Sequence, residues 1–165
     1  MTIFPDDIEV SATRLIGDFS ARGLTLATAE SCTGGLIAGA LTEVSGSSTV
    51  VDRGFVTYSN QAKTDMLGVS PEVLSRFGAV SRETALQMVD GALRRSGANI
   101  AVAVTGIAGP SGGTADKPVG LVHLAAKNQT GLLVHREMRY GDIGRTEIRL
   151  ATVRTALELL VAVAG

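Results

Sequence analysis

The sequence predicts one α/β domain, a mostly parallel sheet covered by helices on both faces. Three observations carry this. Short apolar runs of strand length alternate with segments of helical periodicity. Glycine is abundant, at 20 of 165 residues, and tryptophan is absent, which suits many tight turns. Late in the chain two strand-like segments flank a short polar turn, adding an antiparallel pair to a sheet otherwise built by crossovers.

The elements follow in order. Residues 5–23 place Ile8, Ala12, Leu15, Ile16 and Phe19 on one helical face, with Asp6 and Asp7 at the start and Gly23 at the stop. Residues 24–29, "LTLATA", read as a buried strand, and residues 33–44 as a helix rich in small residues. A second strand is expected over residues 54–59, then short helices over 61–67 and 71–77. A longer helix follows, with Ser81 and Thr84 bracketing its first turn. "NIAVAVTG", residues 99–106, is a strongly apolar strand leading into the glycine-rich loop "IAGPSGGTADKP". Residues 119–127 and 132–140 form a hairpin around the turn at 128–131, and a last helix runs from Asp142 to Ala164. No internal repeat, low-complexity tract or domain boundary interrupts the chain, so residues 1–165 are read as a single domain.

Composition excludes several function classes. A hydrophobic content of 45% argues against disorder, and a net charge of -1 against a broad nucleic-acid-binding face. The single Cys32 cannot form an intrachain disulfide, which fits a reducing cytoplasm. The start of the chain lacks a signal-peptide pattern, and no apolar stretch is long enough to span a bilayer. His123 and His135 sit in separate strands and no metal-binding motif occurs, so no metal is expected.

In open α/β sheets ligands bind beyond the carboxyl ends of the strands. Three such junctions are polar or glycine-rich. After the first strand comes "ESCTGG", with Ser31 beside Cys32. The amides of Thr33, Gly34 and Gly35 would be free first-turn donors, fit for an oxyanion or a phosphate. Equally, Ser31 or Thr33 could simply cap the helix. Cys32 reads as a small buried hydrophobe. After the second strand comes "TYSNQAK". With Asn60 as N-cap, Lys63 falls in a helical first turn, where the dipole and burial favour a neutral amine. A neutral lysine can deprotonate a serine, and Tyr58 could sit beside both and relay or orient the proton. The alternative is a solvated lysine and an edge tyrosine. After the third strand, Thr105 and Gly106 open a loop that matches neither a Walker A nor a dinucleotide fingerprint. Thr105 would point toward the edge that holds Ser31 and Tyr58, where its hydroxyl either contacts a ligand or satisfies a turn. In the last helix, Asp142 as N-cap puts Arg145 in the first turn and Arg149 one turn on. There they receive an anionic ligand or pair with Glu147, Asp142 or solvent.

Taken together, "AESCTGG", "GFVTYSNQAK", "GAVS", "TGIAGPSGG" with "KPVGLVH", and "GDIGRTEIR" closely resemble the CinA C-terminal-domain family. The ordered motifs run from about Leu24 to Ala164. The resemblance implies a three-layer α/β/α sandwich, assembled as a homodimer. It also implies a nicotinamide-nucleotide amidase, converting nicotinamide mononucleotide and water to nicotinate mononucleotide and ammonia. Ser31 would be the nucleophile and Lys63 its base, with Tyr58 beside them and Thr105 and Arg145 in the site. No cofactor, nucleic acid or membrane enters this expectation. Many relatives carry an additional N-terminal domain. This chain begins too close to the shared region to contain one, so a stand-alone amidase is expected. The alternative is a non-catalytic nucleotide-binding module in a competence or DNA-damage response.

Overall fold

The computed structural model describes residues 2–165. Helix α1 (Asp6–Ala21) leads into strand β1 (Leu26–Glu30) and helix α2 (Leu36–Thr42). A short 3-10 turn (Ser47–Thr49) precedes β2 (Val51–Val56), and helices α3 (Asn60–Leu67), α4 (Pro71–Phe77) and α5 (Arg82–Ser96) follow. Then come β3 (Ile100–Gly106), the β4 (Leu121–Asn128) and β5 (Leu133–Arg139) hairpin, and α6 (Arg145–Ala164). The five strands lie in the order β2-β1-β3-β4-β5. The β2, β1 and β3 pairs are parallel, and β4 is antiparallel to both of its neighbours. Four strands therefore share one direction, as a mostly parallel mixed sheet requires.

Period-two alternation sends successive side chains to opposite layers. Leu26, Ile100, Val102, Val104, Val122 and Leu124 pack against α1, α2 and α6. The other face presents Ala27, Ala29, Ala101, Ala103 and Ala125 to α5 and the end of α3. Alanine lets a helix approach closely, and Gly91 extends that economy. A methyl there would sit 2.0 Å from the Leu67 carbonyl oxygen, so α3 rests directly on the α5 backbone.

Several boundaries differ from the sequence expectation; three of them bear on the site's frame. Strand β2 is Val51–Val56 rather than residues 54–59, because Leu26 pairs with Val51 and this edge strand tolerates the exposed Asp52 and Arg53. Ser59, not Asn60, caps α3, its hydroxyl accepting from the Ala62 amide. Helix α6 starts at Arg145 after Gly144, whose φ of 96° breaks the chain direction, so Asp142 lies outside it. Ser81 caps α5 as expected, accepting from the Thr84 amide.

Candidate active site

Strand alternation decides which neighbour faces which layer. Glu30 points to the α2 side, and the ladder continues one residue further through the Ser31 amide, which donates to the Val104 carbonyl at 3.1 Å. Ser31 thus points to the α3 side. Cys32 turns back into the core with α1, α2 and α6 at 5% exposure. Burial pushes its thiol up to about 12, so it is no nucleophile at neutral pH.

Lys63 reaches Ser31 from α3. Its Nζ lies 2.9 Å from Ser31 Oγ and donates to the Thr57 carbonyl at 2.8 Å. The lysine is 1% exposed and no carboxylate pairs with it among the described residues. Burial lowers its pKa from 10.5 to about 8. Desolvation thus favours the neutral amine. A neutral amine that donates one hydrogen to Thr57 keeps a lone pair for the Ser31 proton.

The dyad lies at a cleft of about 340 Å³, within the ~300–1,000 Å³ range of small-molecule sites. Tyr58, Thr105, Gly106 and Arg145 border it, together with Ala79, Val80 and the loop residues Gly109, Ser111 and Gly112. Thr105 is buried and donates to the Ala79 carbonyl at 2.7 Å, tying β3 to the loop before α5. Gly106 must be glycine because a methyl would meet Val122 Cγ2 at 2.6 Å and the Leu121 carbonyl at 2.9 Å. Arg145 donates to the Gly109 carbonyl at 2.8 Å and to the Tyr58 hydroxyl at 3.0 Å. Tyr58 is 62% exposed and makes no hydrogen bond to Ser31 or Lys63. It lines the cleft mouth with Arg145 and is not placed to relay the dyad's proton.

The turn after Ser31 departs most from expectation. Helix α2 starts at Leu36, and Gly34 and Gly35, with φ of 60° and 103°, form the bend before it. Thr33, Gly34 and Gly35 do not border the cleft. Thr33 is fully buried, and the Gly34 amide donates to the Ser31 carbonyl. The first amides of α2 are also taken: Ile37 and Ala38 donate to the Glu30 carboxylate at 2.9 and 3.0 Å. No phosphate can lie there, because a carboxylate already does. Of residues 31–35, only Ser31 and Cys32 line the cleft. Arg149, expected either to receive an anion or to pair with Glu147, Asp142 or solvent, instead donates to the Cys32 and Thr33 carbonyls at 3.1 and 2.9 Å. The sequence did signal an acid before Ser31, but its partners, seven and eight residues on, follow only from the fold.

Two larger hollows, of about 550 Å³ between α1 and α6 and about 640 Å³ along the 110–119 loop, have no lysine among their lining residues. Among the described residues, no group of three or more His, Cys, Asp or Glu side chains could hold a metal ion, and no helix is long and apolar enough to cross a membrane.

Residues 9–164 match the model of the CinA C-terminal domain. The chain belongs to the CinA family. A "CinA-like protein" of Geotalea daltonii is 49% identical over 158 residues, covering 96% of this chain and 38% of that protein. A "putative competence-damage inducible protein" of Acetivibrio thermocellus is 47% identical, covering 94% of this chain and 36% of that one. The chain thus spans little more than a third of the curated CinA relatives it matches. Among solved structures, the competence/damage inducible protein CihA of Agrobacterium tumefaciens superposes with a TM-score of 0.99 at 72% identity, each chain wholly covered. A CinA superfamily protein of Escherichia coli gives 0.88 at 35%, over 97% of this chain and 93% of that one. The CinA sandwich is therefore the fold of this chain.

Proposed function

We propose that this CinA domain is a serine amidohydrolase acting on nicotinamide mononucleotide. The observation that carries the proposal is the buried Ser31–Lys63 contact of 2.9 Å at the cleft, with a lysine whose pKa is lowered to about 8. A buried amine without a carboxylate partner is costly to keep charged, and a neutral one beside a serine is a general base.

Lys63 takes the Ser31 proton as Oγ attacks the carboxamide carbon. The Cys32 amide supports the oxyanion, as the amide after the nucleophile does in other serine hydrolases. Protonated Lys63 then gives its proton to the departing nitrogen. The C–N bond breaks, ammonia leaves, and a nicotinoyl ester remains on Ser31. Lys63 next takes a proton from water, which attacks the ester, and Oγ leaves with that proton. The net reaction is amide plus water to acid plus ammonia.

Arg145 uses two of its five N–H groups on Gly109 and Tyr58, leaving three for the nucleotide phosphate. Thr105 and Gly106 form the opposite wall. The proposal includes a homodimer and a role in recycling pyridine nucleotides. The deciding measurement is ammonia release from nicotinamide mononucleotide by purified protein. Stoichiometric ammonia and nicotinate mononucleotide support the amidase; nucleotide binding without release would leave a binding module instead.

A further inference from the structure

We propose that Glu30 and Arg149 are positioning residues that brace the nucleophile turn from its two sides; this rests on Ser31 being the nucleophile. Residues 31–35 carry the reactive hydroxyl and the Cys32 amide proposed for the oxyanion, yet the bend includes two consecutive glycines at positive φ, the most pliable backbone available. Something must fix it, and α2 offers no cap, since Gly35 precedes it with no side chain.

Glu30 supplies the missing cap from the strand before the turn. Its carboxylate is 1% exposed and carries no salt bridge among the described residues. Its two oxygens accept separately from the Ile37 and Ala38 amides, and Thr28 Oγ1 lies 3.4 Å from Oε2. One side chain therefore ties the end of β1 to the start of α2, closing the turn as a loop. Arg149 acts on the other polarity. Its guanidinium bridges the carbonyls of Cys32 and Thr33, in the peptides 32–33 and 33–34. Holding the Thr33 carbonyl orients the Gly34 amide, which donates to the Ser31 carbonyl at 3.1 Å, and that carbonyl shares its peptide plane with the Cys32 amide. Neither side chain borders the cleft, so neither is a catalytic residue.

The geometry is demanding in a way that tests well. Gln at position 30 keeps one acceptor oxygen but turns the second into a donor facing an amide. Lys at position 149 keeps the charge but cannot bridge two carbonyls with a planar fork. A displacement on the order of 1 Å at reacting atoms can cost about 100-fold. For Glu30→Gln and Arg149→Lys we expect kcat for nicotinamide mononucleotide to fall by about tenfold to a hundredfold with KM changed less than about twofold. Labelling of Ser31 by a fluorophosphonate should slow by a similar factor. The midpoint of the pH–rate rise should stay where Lys63 sets it, near 8. A raised KM with kcat unchanged in Arg149→Lys would make Arg149 a substrate contact and overturn its bracing role. Wild-type kcat and labelling rates in both variants would overturn the proposal altogether. Should Glu30→Gln fail to fold, Arg149→Lys decides alone, by the same two rates. A wild-type protein that labels at Ser31 but releases no ammonia, with labelling slowed in the variants, upholds the brace and removes the proposed substrate. A wild type that neither labels nor deamidates removes both.

Discussion

The two faces of the sheet differ in what they do with small side chains. On the α1, α2 and α6 face, branched residues fill the gap between layers, and the polar group at the end of β1 is a carboxylate consumed by helix amides. On the α3 and α5 face the layer is alanine, and α3 settles onto Gly91 of α5. There the polar group is Ser31, and a lysine rather than a backbone amide meets it. Close packing by small residues brings a buried amine to a hydroxyl without any ion pair to quench it. The same strand end thus supplies support on one face and reactivity on the other, one residue apart.

Exchanging neighbours should break this comparison most sharply. Ser31→Ala should remove amidase activity by about 10⁴-fold or more, as loss of a nucleophile does elsewhere. Cys32→Ala, on the packing face, should keep most of it while lowering stability by about 1 kcal/mol. Ammonia release and thermal melting measure the two. Full activity in Ser31→Ala would reverse the assignment of faces.

Lys63 comes next. Activity should rise with pH through about 8 as the amine deprotonates, and Lys63→Met should lose about 10²–10⁴-fold along with that limb. Lys63→Arg should not restore it, because arginine keeps its proton. The linkage to stability has a definite sign. Between about 8 and 10.5 the unfolded chain binds a proton that the folded chain does not, so stability rises with pH across that window. At pH 7 the fold carries a buried ammonium at a cost on the order of 3 kcal/mol, partly offset by its bonds to Ser31 and Thr57. Lys63→Met should therefore melt no lower than wild type at pH 7, and its relative advantage should shrink toward pH 10. A large drop in Tm at pH 7 would show the lysine to be a structural prop.

Packing on the reactive face gives the third test. Gly91→Ala places a methyl 2.0 Å from the Leu67 carbonyl oxygen, so α3 must move and carry Lys63 with it. Overpacking of this kind costs about 1–3 kcal/mol, and the displaced base should lower kcat by up to about 100-fold. Unchanged activity would mean that α3 can yield without disturbing the dyad.

Much of this was visible in the chain before folding. Strand-length apolar runs located β1, β3 and the hairpin; the ends of β1 and β3 pointed to Ser31 and Thr105, and the polar run after β2 pointed to Lys63, though β2 itself begins three residues earlier than expected. Those are local patterns. What stayed hidden depends on long closures. Arg149 lies 117 residues from the Cys32 carbonyl it holds, and its first-turn neighbourhood suggested a phosphate instead. The amides of Thr33 to Gly35 looked like a helix start because nothing local says that α2 begins only at Leu36 and that Glu30 takes the Ile37 and Ala38 amides. Lys63 lies in α3 as expected, one position further from the cap, and the depth of burial that depresses its pKa comes from the packing of α3 on α5. Tyr58 stands near Lys63 in sequence and yet bonds across to Arg145.

That last contact yields the smallest and most discriminating effect. Arg145 lies in the first turn of α6, where a cation opposes the helix dipole by roughly 0.3–1 kcal/mol. Its two bonds, to Gly109 and Tyr58, hold it at the cleft without neutralising it. A nucleotide phosphate would neutralise it, through a charge-assisted contact worth on the order of 1.5–3 kcal/mol. Arg145→Ala should thus lower kcat/KM for nicotinamide mononucleotide by about tenfold to a hundredfold, and barely alter the poorer reaction of the riboside, which has no phosphate. Tyr58→Phe removes only one orienting bond to a guanidinium at the surface, and should cost no more than about fivefold, again on the mononucleotide alone. The ratio of the two specificity constants separates the outcomes. If Tyr58→Phe instead lowers both substrates equally and by 100-fold or more, the hydroxyl joins the dyad during turnover, and the cleft mouth must close on Lys63 when substrate binds.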